Sequence, residues 1–390
     1  MEAEREYLIP DYFSDFKCKM GACRTACCVG WAVSISMTDY FGLLGLDCNP
    51  DLRRRLDTGM RLSDHRSEEA YARFEPRYDG NCPMRMEDGR CALHAELGEE
   101  VLPHVCRLYP RGIRLEDGTY ECSCANSCEA VLELFLNRTE PITFSRKMLP
   151  LLPPPIPERQ TVFATLGKGA EIRKHLISVI QDRTIPLWIR IIEVANELEI
   201  ISGIIENGDE KALAEFLNAP ISEDIKRMLK ADGEGLNFAL NVMLQMLKIL
   251  DNRSISINEY GEAALNYYGE GDGVAERYLA AKQSFEERFP NWEIFFEHIL
   301  VNHMFFSVFP YQDRPEDMRS ELTALCAIYA FMRFLIIGYM AEHDGETEYI
   351  DAMAAAFRLI DHTEFDRYSV RLLKQLDYNS PKKLCALVSI

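Results

Sequence analysis

Ten cysteines fall into three tight groups near the start of the chain. Cys18, Cys23, Cys27 and Cys28 are spaced C-x4-C-x3-C-C, Cys82, Cys91 and Cys106 follow, and Cys122, Cys124 and Cys128 form C-x-C-x3-C. Cys48, Cys326 and Cys385 stand apart. Grouped thiols admit three chemistries. Disulfides need an oxidising compartment, and the opening MEAEREYLIP has neither a cationic start nor an apolar stretch, so no export signal is expected. Adjacent Cys27 and Cys28 also do not bridge readily to each other. Plain burial suits the three isolated cysteines but does not explain the grouping. Metal ligation does, because a tetrahedral site takes four soft ligands and short loops bring sulfurs together at little entropic cost.

All ten grouped thiols are therefore candidate metal ligands. Ten exceed one four-ligand site. Either there are two centres, or one centre uses a subset while the rest pack or form a redox pair. The spacing matches neither the C-x2-C pairs of a zinc ribbon nor the C-x3-C-x2-C of a radical-enzyme cluster. Zinc and iron–sulfur clusters both accept four thiolates, so the metal stays open at this point. His94 and His104 lie among the cysteines, but the default for each is a hydrogen-bonding role.

Short elements must position these thiols. Met84 to Leu93 alternates around Asp88-Gly89, and Ile113 to Cys122 around Asp117-Gly118; both patterns predict hairpins. Between them, Ala95 to Tyr109 predicts a short helix interrupted near Pro103. Leu149 to Pro157 (LPLLPPPIP) cannot continue a helix or a central strand and reads as an extended linker. Beyond it, apolar periodicity predicts helices over 186–204, 222–230, 236–251, 274–288, 292–309, 315–340, 349–360 and 365–376. The expected fold is α+β, mainly α. A small cysteine-rich, metal-bound domain with short hairpins (1–145) leads through a proline-rich linker (146–160) to an all-helical domain (161–390).

Composition narrows the function. The 390 residues carry a net charge of −19, and neither half is basic, so no nucleic-acid footprint is present. The apolar run Ala324 to Ala341 carries Arg333 in its middle and reads as a buried core helix, not a membrane span. A cytoplasmic location is expected. The glycine clusters Gly233–Gly235 and Gly269–Gly273 follow no strand and read as loops. His298 and His303 are offset by five on one helix, poor for chelation from one face, and read as packing residues.

The string C-K-M-G-A-C-R-T-A-C-C from Cys18 to Cys28, with Gly30-Trp31, resembles the opening of the flagellin lysine N-methylase family. Cys82-Pro83, Gly89-Arg-Cys91-Ala-Leu93 and His104-Val-Cys106-Arg107-Leu-Tyr109-Pro110 are similar to the wider group of zinc- or iron-chelating CxxxCxxCC-type domains. Ile299-Leu-Val-Asn302-His-Met-Phe-Phe306-Ser-Val-Phe-Pro310 also resembles the methylase family. The resemblance implies methyl transfer to lysine amines of flagellin, S-adenosylmethionine as donor, and a 4Fe-4S cluster, with zinc as the alternative metal. It leaves the ligand set, the oligomeric state and the base open. Tyr109 and Glu121 are candidate bases because a lysine ammonium must lose a proton before it attacks. A pocket at the boundary of the two domains is the expected donor site. The competing reading is a non-catalytic metal-binding module that holds a protein partner.

Overall fold

In the computed structural model, which describes residues 4–24, 27–30, 32–150, 156, 158–160, 165–219, 233–251, 257–271, 273–311 and 317–390, the chain builds two hydrophobic cores of unequal size. The larger core joins a five-stranded sheet to the helices. The strands are β1 (Arg5–Pro10), β5 (Arg111–Glu116), β6 (Thr119–Cys124), β7 (Phe144–Leu149) and β8 (Glu158–Arg159), in the order β7-β1-β6-β5-β8. β1 runs antiparallel to β7 and parallel to β6.

The hairpin expected around Asp117-Gly118 is present, as β5 and β6. Asp117 and Gly118 both take positive φ (43° and 75°), the two-residue turn whose twist matches the strands. Alternation then sorts the side chains. Gly112, Arg114, Glu116, Thr119, Glu121 and Ser123 share one face, and Ile113, Leu115, Tyr120, Cys122 and Cys124 share the other.

The smaller core holds Val33, Ile35, Leu52, Leu56, Met60, Phe74, Met84 and Leu93, with Cys82 buried among them. Its sheet is β2 (Val33–Ile35), β4 (Ala72–Phe74) and β3 (Met60–Leu62), in that order. Helices Met37–Leu44, Pro50–Gly59, Ala92–Leu97 and His104–Leu108 surround it. The first two start where the side chains dictate. Ser36 accepts from Asp39 N, and Asn49 accepts from Leu52 N with Pro50 in the first turn. The helical break expected at Pro103 is present.

The hairpin expected over Met84 to Leu93 is instead a tight turn. A single bridge joins Arg85 to Cys91, and Met86 N donates to Arg90 O at 2.9 Å. No second strand forms because the Ala92–Leu97 helix starts immediately after Cys91.

These cores redraw the expected boundaries. Residues 1–145 are not one unit, because β1, β5, β6 and β7 pack with the helices while the smaller core is spliced between β1 and β5. The flanks of the expected linker are strands: β7 pairs along β1, and β8 pairs with β5. Residues 151–155 and 157 lie outside the described residues.

The described part after residue 160 is helical, as expected. Helices Leu187–Glu206, Gly233–Asp251, Val274–Arg288, Trp292–Phe306, Met318–Tyr339, Glu346–His362 and Phe365–Gln375 answer to the periodicity. The Trp292 helix ends three residues early because Val308 takes φ 61° ahead of Pro310. Residues 222–230 and 312–316 lie outside the described residues. Helices Gly169–Ile180, Glu210–Asn218, Asn258–Tyr268 and Pro381–Val388 were not anticipated. Met318–Tyr339 is long and apolar enough to cross a membrane, but its whole apolar window is buried inside the fold. Arg333 is accommodated there by Glu286 at 2.8 Å and by the Trp292 ring, 3.8 Å away.

Candidate active site

The thiols separate into neighbourhoods that their sequence grouping does not reveal. Cys28, Cys82, Cys91 and Cys106 line the smaller core; Cys106 senses the charge of the other three, Cys82 that of Cys28 and Cys91, and Cys91 that of Cys28. Local pairing brings them together: Cys82 N donates to Cys28 O at 2.8 Å, Cys91 bridges to Arg85, and Cys106 opens from the turn after Pro103. Arg85 Nη1 stands 3.9 Å from Cys28 Sγ. The Cys27 sulfhydryl and then Arg85 hold the Cys28 thiol below its ordinary value, while the same pairing and burial push Cys27 up. Burial pushes Cys82 up to about 12, and Cys91 and Cys106 also upward.

A second neighbourhood lies where the first cysteine loop meets the helical body. Cys18 interacts with Cys23, Cys27 and Cys128, and Cys23 with Cys128. The loop is anchored by charge. Lys19 Nζ reaches Glu129 (2.8 Å) and Glu133 (2.6 Å), and Arg24 Nε reaches Asp351 at 3.0 Å on the Glu346–His362 helix. It also passes close to the 86–90 turn. A Cβ on Gly21 would meet Arg90 Cα at 2.6 Å, and one on Gly89 would meet Gly21 O at 2.6 Å. The remaining pair, Cys122 and Cys124, is buried in the larger core. Burial pushes Cys122 up to about 12.

All thirteen cysteines are free thiols. Among the described residues, no three metal-ligating side chains converge closely enough to hold an ion as they stand. The donor chemistry nonetheless fits a thiophilic metal or cluster, because two neighbourhoods each contain four sulfurs and neither contains a competing disulfide. His94 and His104 belong to the lobe. His104 N donates to Asp39 Oδ2 at 3.0 Å, and burial lowers its imidazole.

The two candidate bases meet different fates. Glu121 is ion-paired with buried Arg173, which also lies 4.9 Å from the Phe305 ring. It belongs to a polar sheet face buried under helices. Beside it, burial pushes Glu116 up to about 7 and Arg114 down to about 10. On the Trp292–Phe306 helix, His303 faces Asp361 at 3.6 Å; burial opposes its proton, but Asp361 prevails and raises it. Tyr109 is placed differently. Its hydroxyl is 3.0 Å from Ser127 Oγ, which is 3.0 Å from His362 Nε2. Cys27, Cys128 and Arg358 are its ionisable neighbours, and burial raises the phenol well above its ordinary value. No sequence spacing links Tyr109, Ser127 and His362; only the packing of the Glu346–His362 helix against the Glu129–Leu136 helix does.

Asn302 is structural. Its amide donates to Cys124 O (2.8 Å) and Asn126 Oδ1 (2.7 Å), and its oxygen accepts from Tyr12 at 2.5 Å. His298 bonds Phe135 O at 3.3 Å and Glu140 O at 3.0 Å, the packing role expected of it. A groove of about 840 Å³ opens within the helical body, lined by Asn196, Glu199, Met318 and Leu384 among others, and none of the grouped thiols lines it.

Comparison with known proteins adds an identity to this arrangement. The family model of the FliB lysine N-methylase C-terminal domain matches residues 173–387, more than half of the chain. The lysine-N-methylase of Salmonella choleraesuis strain SC-B67 is 23% identical over 373 residues, covering 88% of this chain and 88% of the relative. That of Salmonella typhimurium strain LT2 gives the same identity and coverage. The flagellar biosynthetic protein FliU of Salmonella muenchen is 25% identical over 138 residues, 35% of this chain and 81% of its own. No solved structure matches. The competing reading, a non-catalytic metal-binding module, gives way to an enzyme. The chain belongs to the FliB lysine N-methylase family and is a protein-lysine methyltransferase.

Proposed function

We propose that this enzyme methylates lysine side chains of a flagellin in the cytoplasm, with S-adenosylmethionine as donor and a thiol-held iron–sulfur centre of the 4Fe-4S type. The observation that carries the reading is the extent of the likeness. An alignment over 88% of the chain takes in the cysteine lobe as well as the helical body, so the two occur together in relatives named lysine-N-methylase. The flagellar part is supported by the name of the FliU relative. The centre is supported by donor chemistry, with Cys28, Cys82, Cys91 and Cys106 as the first set of holders and Cys18, Cys23, Cys27 and Cys128 as the second. Held by four such thiolates, a cluster would supply one-electron chemistry.

The protein's own residues have three tasks. A net charge of −19 draws a lysine-bearing substrate. The Lys19 and Arg24 ion pairs fix the first cysteine loop against the helical body. Groups at that junction must accept the ammonium proton before the amine can attack.

Protein purified without oxygen is expected to carry iron and acid-labile sulfide; zinc without iron replaces the cluster with a zinc centre. Incubation with donor and flagellin should add mass in steps of about 14 Da, the increment of each methyl group. No donor binding and unmodified flagellin would overturn the reading. Donor binding with unmodified flagellin would leave the methylase standing and remove flagellin as the substrate.

A further inference from the structure

The groove of about 840 Å³ in the helical body is built from three helices. Leu187–Glu206 forms one wall, and Pro381–Val388 with the preceding Asn379 and Ser380 forms the other. Met318, Leu322 and Cys326, all buried, make the floor between them. One wall is left bare where the fold does not ask for it. Gly203 lies within the Leu187–Glu206 helix and lines the groove, and a Cβ there would meet nothing within 4 Å among the described residues. Alanine would fit that position and is the better helix former. Gly338, in the Met318–Tyr339 helix, is the contrast. A Cβ there would meet Tyr268 Cε2 at 2.5 Å, so packing within the chain accounts for that glycine. No such packing accounts for Gly203. A helical glycine that faces open space suits a partner whose backbone comes close to the wall.

The charge around the groove leaves one sign over. Arg319 is held by Glu199 through bonds of 2.7 and 2.8 Å. Glu206 and Asp317 then make the rim acidic, above the apolar side chains of Ile192, Leu198, Leu322 and Leu384. An acidic rim over an apolar floor complements a segment that carries apolar side chains with a cationic one beside them.

We propose that this groove docks a segment of the lysine-bearing protein substrate, its apolar side chains on the floor and a cationic one against Glu206, away from the amine that is methylated. The proposal rests on the methylase reading above. Every lining residue lies within the stretch matched by the methylase C-terminal domain model, residues 173–387, whereas the grouped thiols all precede residue 129. Contacts made apart from the reacting atoms hold substrate and transition state equally. The groove therefore acts on which protein is bound and not on how fast its lysine reacts.

The test uses the full, metal-replete chain with S-adenosylmethionine and flagellin. Gly203→Leu fills the groove from its bare wall. It places a better helix former at an unobstructed position, so the thermal midpoint should stay the same or rise. KM for flagellin should rise roughly 10-fold, the loss expected when a central contact of an interface is removed, with kcat unchanged. Titration of flagellin without donor should show the same loss of affinity. Glu206→Lys, on the exposed rim, should raise KM about threefold at low salt, and the difference should vanish at high salt. Unchanged KM and affinity in both variants, or a fall in kcat at unchanged KM, would overturn the docking groove while the methylase reading stands. So would a wild-type chain that is dimeric and turns monomeric in Gly203→Leu, because a second copy would then occupy the groove. A wild-type chain that transfers no methyl group would overturn both.

Discussion

The cysteine lobe and the helical body enclose very different amounts of apolar surface. The lobe core gathers about a dozen side chains around three short strands and five thiols, Cys48 among them. The body packs the Met318–Tyr339 helix, wholly buried, among the surrounding helices and seals a five-stranded sheet with them. Small cores of this kind generally need disulfides or metal to persist, whereas a core the size of the body does not. The lesson is that cysteines of one sequence neighbourhood serve two masters. Cys82 and Cys106 belong to the weak core, and Cys122 and Cys124 to the strong one.

With the thiol-held centre proposed above, the largest effect should come from removing its metal. A structural thiolate site contributes on the order of 10 kcal/mol. Chelation, or Cys28→Ser with Cys82→Ser, should therefore abolish hydrogen-exchange protection across residues 33–102 while the Met318–Tyr339 helix stays protected. Loss of both regions together would merge the two cores into one cooperative unit. Next in size is Asn302→Ala, which strips partners from Cys124 O, Asn126 and Tyr12 at once. It should cost about 3 kcal/mol, read as a lower thermal midpoint of the body. Cys124→Ala should cost about 1–2 kcal/mol through a small cavity and leave iron content unchanged. A loss of iron would move that thiol from the packing set to the ligand set. The smallest effect concerns acid. Burial holds His298 below the ordinary histidine value, so the unfolded chain takes up a proton there first. Stability supplied by its neutral form is full above about pH 6.5 and is lost as pH falls below it. Denaturant midpoints measured at pH 7.5 and 5.5 check the sign, and His298→Gln should flatten the difference.

Elements with strong local signals were legible. Asp117-Gly118 announced its hairpin, and the Val274–Arg288 helix began and ended where its periodicity placed it. The turn at Met84–Leu93 misled because alternation over so few residues does not separate a strand from the N-cap of a helix. The domain boundary misled for a different reason. Proline-rich composition reports where helices stop, but not that β7 and β8 pair back onto β1 and β5. At the site, the thiols were visible as a group and their division was not, since it depends on which backbone segments cross. Tyr109 was readable as a candidate from its place among the cysteines. Ser127 and His362 left no signal, because their meaning lies in a contact between residues 235 positions apart.

The splicing of the lobe between β1 and its partners also sets an order of events. Leu8 pairs with Glu121 and Arg146, residues made long after the thiols of the lobe have emerged. Until then β1 is a strand without an edge to join, and the lobe hangs open from it. During this interval the thiols of the lobe are still free to move. Once β6 and β7 clasp β1, both ends of the lobe are tethered, and Cys128 is fixed as the cap of its helix. For the thiol-held centre proposed above, the favourable time for loading would then be during synthesis and not after it.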